Sequence, residues 1–228
     1  MSGLFVQGAC ASPGWSPLDA AALRTLKPTR LVEVLDETPL LSGYRAVPAP
    51  IVVVITVRGG TDPTGYVLDG LSQSLASAFN LRVRLRIISD ADMPNSDFDF
   101  RDGDLALRVR TVERSWTTSG FDPPRYSAVL RMRVTLLDAH TRAVLAGGDC
   151  RNDELKKEDA PTYEQLMADS GAVLEHQMRD ACDRCLDYFR RCLLSIVDSS
   201  VAGAPSCPQP GHYPGEPPPN HQSVPRRH

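Results

Sequence analysis

RYSAVLRMRVTLLDAHTRAVLAGGDC, residues 125–150, decides the fold. Tyr126, Ala128, Leu130, Met132, Val134 and Leu136 fall on one side of an extended chain, and Arg131 and Arg133 on the other. A period of two with one apolar side predicts a strand from Tyr126 to Leu137. Asp138-Ala139-His140-Thr141 reads as a turn and Arg142 to Cys150 as the return strand. Gly147-Gly148 marks a bulge or a close backbone approach. Beyond the hairpin, Thr162 with Gln165 has the form of a capping box. Tyr163, Leu166, Met167, Ser170, Leu174, Met178, Ala181, Cys185, Phe189 and Cys192 then trace one stripe of a long helix. A helix that packs back on the hairpin would bring Cys150 and Cys185 within reach of each other.

Upstream, Asp104 to Trp116 alternates, with Leu105, Leu107 and Val109 opposite Arg108 and Arg110. Leu81 to Ile87 alternates strictly, with Leu81, Val83, Leu85 and Ile87 opposite Arg82, Arg84 and Arg86. Asp62-Pro63 predicts a helix start, with Asp as cap and Pro in the first turn. Val67, Leu68, Leu71, Leu75, Ala78 and Phe79 give that helix one apolar face, and Asn80 a stop. Ile51 to Val57 is β-branched throughout and reads as a buried strand; Thr29 to Leu35 reads as another. Pro39, Pro48 and Pro50 argue against a central strand in 36–50. Residues 12–28 read as a linker holding a short helical run, Leu18 to Leu26. Residues 89–103 and 151–160 read as charged loops. The last 31 residues hold eight prolines and almost no aliphatic side chains, so 198–228 is expected to be a disordered tail. The order predicts one α+β domain over 29–197. Its sheet is antiparallel or mixed, of five to six strands, with two main helices on one face.

The 228 residues are 42% hydrophobic and only 6% aromatic, with net charge −3, so no global field points to nucleic acid. No apolar run approaches the length of a membrane-spanning helix. The opening residues MSGLFVQGACA are small, apolar and uncharged. Leu4, Phe5 and Val6 followed by small residues resemble the tail of an export signal, and residues 1–11 are read as a leader remnant. Ala9-Cys10-Ala11 fits one kind of cleavage site. Gly8-Ala9-Cys10 fits the end of a lipoprotein signal with Cys10 lipidated, although Gln7 stands where an aliphatic residue is usual. The alternative is a disordered, mildly apolar terminus.

DGDLALRVRTVERSW (102–116), the 125–150 hairpin and APTYEQLMADSGAVLEHQMRDACDRC (160–185) together resemble a family of uncharacterised proteobacterial envelope lipoproteins. Its members share a leader ending in a lipidated Cys, a helix after Asp-Pro and a strand ending near a Trp. A hairpin with Asp at its turn then ends Gly-x-Cys, and a PTYxxLxADxxAxLxxxLxxAxxxC helix follows. The resemblance covers roughly residues 60–185 and places Cys150 and Cys185 at the hairpin and helix cysteines. It implies an exported periplasmic protein, with no known activity. The incomplete leader, the additional cysteines and the proline-rich tail depart from the pattern.

A Cys150–Cys185 disulfide would close a loop of about 35 residues, worth roughly 3–4 kcal/mol in the chain-entropy model, and would imply an oxidising compartment. The alternative is two buried thiols in a cytosolic protein. Cys182-x-x-Cys185 lies deep in the helix, away from the N-terminal dipole that activates redox pairs. His176, Cys182, Cys185 and Cys192 lack a second ligand pair for zinc, and His212, His221 and His228 are sparse, so neither metal nor cofactor is expected. Arg82, Arg84, Arg86, Arg108, Arg110, Arg131 and Arg133 would share one face of the sheet and form a weak anion-binding candidate. The bland reading is a solvated face paired with loop carboxylates Asp97, Asp99 and Asp102. Binding of RNA by such a face would need aromatic platforms among the arginines, and none alternates with them. Trp116 and Tyr126 could line a ligand site or anchor a loop. RGGTDPTG lacks the lysine of a phosphate-binding loop. The expectation is a non-catalytic envelope protein in the periplasm, with a binding or scaffolding role toward an envelope protein or anionic ligand. Its membrane contact would be limited to a lipid on Cys10. The alternative is a cytosolic module whose arginine face binds an anionic partner such as RNA.

Overall fold

The computed structural model describes residues 16–36, 38–46, 52–57, 60–86, 100–119, 124–152 and 160–196. The readings of 1–11 and 198–228 lie outside those residues, as do most of 89–103 and 151–160. In chain order the elements are α1 (Ala20–Leu26), β1 (Arg30–Leu35), β2 (Leu41–Ala46), β3 (Val52–Val57), α2 (Pro63–Phe79), β4 (Arg82–Arg86), β5 (Asp104–Ser119), β6 (Arg125–Asp138), β7 (Val144–Asn152) and α3 (Tyr163–Tyr188). A π-helical turn at Phe189–Leu193 continues α3.

The seven strands form one mixed sheet built on β5. At 16 residues β5 is long enough to have different neighbours at its two ends. Along one side β6 runs antiparallel to it, with β7 antiparallel to β6. Along the other, β1 pairs in parallel with Asp104–Val109, and β2 in parallel with Ser115 and Trp116. β4 lies parallel outside β1, and β3 antiparallel outside β2. The α+β class, the mixed sheet and the β5–β6–β7 meander match the reading of the sequence. The described residues hold seven strands rather than five to six, because residues 41–46 form β2, an inner strand between β3 and β5. Pro39, Pro48 and Pro50 all lie outside it, so no ladder bond is lost.

Local chemistry sets the helix ends. Asp62 accepts from the Thr64 amide at 3.0 Å ahead of Pro63, and Asn80 ends α2 in the left-handed region at φ 54°. The Thr162–Gln165 capping box forms in both directions, at 2.9 and 3.3 Å. Within 12–28, Asp19 caps α1, and Leu18 and Leu23 are buried in the core. The irregularity in the hairpin falls beside Leu145, ahead of the glycines. Gly147 instead meets a second backbone: it exchanges two 2.9 Å hydrogen bonds with Ser16.

Two irregularities were not expected. β5 carries a bulge at Val112, which turns the following residues over. Leu105, Leu107 and Val109 face the helices; beyond the bulge Arg114 and Trp116 are buried as well. The stripe of α3 is also not continuous, since Asp169, Ser170 and Gly171 are all left-handed, at φ 50°, 59° and 87°. Ser170 is accordingly exposed. Gly and Asp tolerate this region better than most residues, and the Asp-Ser-Gly cluster is a turn signal inside a helical pattern. The C-terminal part of the stripe is buried as expected, with Cys182, Leu186 and Leu193 added to it.

Trp116 is the largest side chain of the core, and it lies against β2, where a Cβ on Gly43 would come within 2.3 Å of its indole. Gly43→Ala is therefore expected to destabilise the fold by about 1–3 kcal/mol, the range for overpacking. Urea denaturation checks this, and an unchanged midpoint would contradict it.

Candidate functional site

Three features bear on function: the cysteines, the arginine face, and a cleft beside α3. The β6–β7 hairpin presents Cys150 toward the helices, and α3 presents Cys185 toward the sheet; the two are joined, with Cα atoms 5.6 Å apart. Cys192 is also disulfide-bonded. Cys182 keeps a free thiol, fully buried, and burial together with the nearby Asp183 charge pushes it up to about 12. A thiol so shielded is neither nucleophile nor metal ligand at neutral pH. Cys10 lies outside the described residues.

The strand registers place Arg82 of β4, Arg108 and Arg110 of β5, and Arg131 and Arg133 of β6 on one face, opposite the helices; the side chains of Arg84 and Arg86 lie outside what is described. Among the described residues, two carboxylates on or beside neighbouring strands pair with three of them. Asp36, just after β1, takes both prongs of Arg108 at 2.8 and 3.0 Å. Asp149 of β7 accepts from Arg133 at 2.6 and 2.9 Å and from Arg131 at 3.1 Å. Asp102 instead faces His140 at 3.5 Å, and Asp97 and Asp99 lie outside the described residues. Both carboxylates come from the neighbouring strand: Asp149 lies opposite Arg133 in the β6–β7 ladder, and Asp36 follows β1, which pairs with β5. Arg82 and Arg110 remain exposed. A phosphate would have to compete with carboxylates already forked onto Arg108 and Arg133 and bonded to Arg131.

Trp116 and Tyr126 are each only 1% exposed, and neither lines an open site. Tyr126 packs edge-on against Tyr163 at 5.6 Å between ring centroids, anchoring the start of α3. Arg45 of β2 covers the other ring, 4.7 Å from the Tyr163 centroid, and pairs with Glu164 at 3.0 Å.

The cleft lies where these elements part. Leu41 and Val57, paired across β2 and β3, form one side; Met167, Asp169 and Glu175 of α3 form the other. Gly60 closes one end, and the volume is about 430 Å³. The Gly60 turn is clasped from both sides. Glu175 accepts from the Thr61 amide at 2.8 Å and from its hydroxyl, while Arg114 donates to the Thr61 carbonyl at 2.9 Å. Gly60 is left-handed at φ 86°, and a Cβ there would meet Glu175 at 2.6 Å. Sequence reasoning missed this site because the bulge that aims Arg114 inward and the break in α3 have only weak local signals.

No protein-family model matches the chain, and no curated protein matches it. Among solved structures it is similar to protein XCC0632 from Xanthomonas campestris, at 14% identity and a TM-score of 0.40, covering 77% of this chain and 86% of that one. It is similar to the PelC dodecamer from Paraburkholderia phytofirmans, at 11% identity and a TM-score of 0.30, covering 68% and 85%. It is also similar to lipoprotein GNA1162 from Neisseria meningitidis, at 10% identity and a TM-score of 0.31, covering 69% and 99%. Superpositions this loose establish neither a shared fold nor a shared role.

Asp149 supplies a pH test of the arginine face. Burial raises its carboxyl, but hydrogen bonds and charge from Arg133 and Arg131 outweigh that and hold it below the usual carboxylate range. A depressed folded value adds stability above the unfolded pKa of about 3.9, and that stability is lost as pH falls through the lower folded value. Asp149→Asn is expected to cost about 1–3 kcal/mol at neutral pH, with the gap to wild type closing in acid. Urea midpoints from pH 2 to 7 check this; a gap independent of pH would contradict it.

Proposed function

We propose that this chain is an exported, non-catalytic protein of the bacterial cell envelope, with a binding or scaffolding role in the periplasm. The observation that carries the reading is the Cys150–Cys185 disulfide, joining strand to helix within one domain. Structural disulfides persist in oxidising compartments and are rare in the cytosol. The oxidised state of Cys192 points the same way. Anchoring by a lipid on Cys10 is the finer form of the proposal, supported by the Gly8-Ala9-Cys10 ending of the leader. The non-catalytic reading is supported by the chemistry of the described residues. Cys182, the free thiol a covalent mechanism would use, is buried and protonated. The cleft carboxylate Glu175 is held by Thr61.

The test is fractionation of cells that make the chain from its own chromosomal locus. Protease added outside an intact inner membrane is expected to digest the chain while a cytosolic marker survives. If the chain is protected together with that marker, the export proposal fails. Cys10→Ala is expected to move the exported chain from the membrane pellet to the soluble periplasmic fraction; an unchanged distribution would remove the lipid anchor and leave export standing.

A further inference from the structure

We propose that the outer edge of β3 and the cleft beside it take up an extended peptide segment of a partner protein, added to the sheet as a strand, with a basic side chain beside Asp169. This deepens the binding role proposed above and rests on it. β3 ends the sheet, with β2 on one side and no strand on the other among the described residues. Such an edge offers a row of main-chain N–H and C=O groups to any incoming strand.

The other two ends of the sheet are protected. β4 places an arginine at every second position, Arg82, Arg84 and Arg86, and edge charge discourages pairing. β7 is met by the backbone of Ser16. β3 reads VVVITV, with neither charge nor proline, and leaves Val54 63% exposed. A strand of this composition, its outer edge unpaired among the described residues, is suited to strand addition, in which main-chain hydrogen bonds give affinity and pockets for alternate side chains give specificity.

The cleft supplies such a pocket. Ile55 and Val57 point to the helix-covered face of β3 and are only half buried. A neighbouring strand would send every second side chain to the same face, into the space between Val57 and the broken stretch of α3. Charge then narrows the occupant. Glu175 is engaged by Thr61, whereas Asp169 stands exposed at the rim with no cationic partner among the described residues. A basic residue in the incoming strand would answer it. β3 of a second copy has no charge to offer, so a foreign strand fits better than self-pairing.

The test titrates the disulfide-intact protein with a fluorescently labelled, end-blocked peptide that alternates valine with threonine and carries one lysine. Anisotropy is expected to show saturable binding, with amide exchange slowed in β3 and unchanged in β4 and β7. Replacing the lysine by glutamate is expected to weaken binding about five-fold, the upper range for an exposed ion pair. Asp169→Asn should abolish that difference, and Val54→Lys should weaken the lysine peptide through charge at the edge. Several results would overturn the proposal: no saturable binding, equal binding of lysine and glutamate peptides, or undiminished binding of a peptide N-methylated along either edge. So would concentration-dependent protection of β3 without peptide, which would mean self-pairing. None of these touches export, which fractionation reads separately, so the two proposals can fail independently.

Discussion

A covalent clasp between the hairpin and the last helix organises this molecule. Cys150 lies on β7, an outer strand, and Cys185 on α3, which packs on β6 and β7. Apolar burial already brings these elements together, with Leu174, Met178 and Ala181 of α3 in the same core as Leu130, Met132 and Val134 of β6. The bond adds roughly 3–4 kcal/mol by restricting the unfolded chain, against a typical net stability of 5–15 kcal/mol. With that margin the domain can carry features that weaken it, chiefly the consecutive left-handed residues in α3.

Those features converge on one corner. The bulge at Val112 turns Arg114 inward, Arg114 and Glu175 grip the Gly60 turn, and the break in α3 leaves the inner side of β3 incompletely covered. The opposite face is quieter. Its arginines are drawn into pairs by Asp36 and Asp149, so positive charge that looks concentrated in the sequence is partly spent in the fold. Composition alone cannot distinguish these cases, because pairing depends on which strands are neighbours.

What was legible in the sequence was periodic or capped. The two-residue alternation of β4, β5 and β6, the Asp62-Pro63 start, and the Thr162–Gln165 box each depend on contacts a few residues apart. What was missed depends on distant partners. β2 is short, lies among prolines, and is stabilised as an inner strand only by pairing with β3 and β5. A single extra residue in β5 reverses the facing of everything after it, and only the burial of Trp116 beyond Val109 reveals the change. The Asp169-Ser170-Gly171 cluster did carry a signal, but the apolar stripe on either side of it dominates a periodicity reading. Of the arginine partners, Asp149 lies opposite Arg133 in the predicted hairpin, whereas Asp36, 72 residues from Arg108, had no signal.

The central claim is that the bond between Cys150 and Cys185 exists in the living cell. Its most direct measurement is peptide mapping by mass spectrometry, from cells quenched in acid and alkylated before lysis. The account predicts one peptide pair linked through Cys150 and Cys185 that separates on reduction, with Cys182 recovered as an alkylated thiol. Recovery of both Cys150 and Cys185 as alkylated thiols from the quenched cells would contradict it.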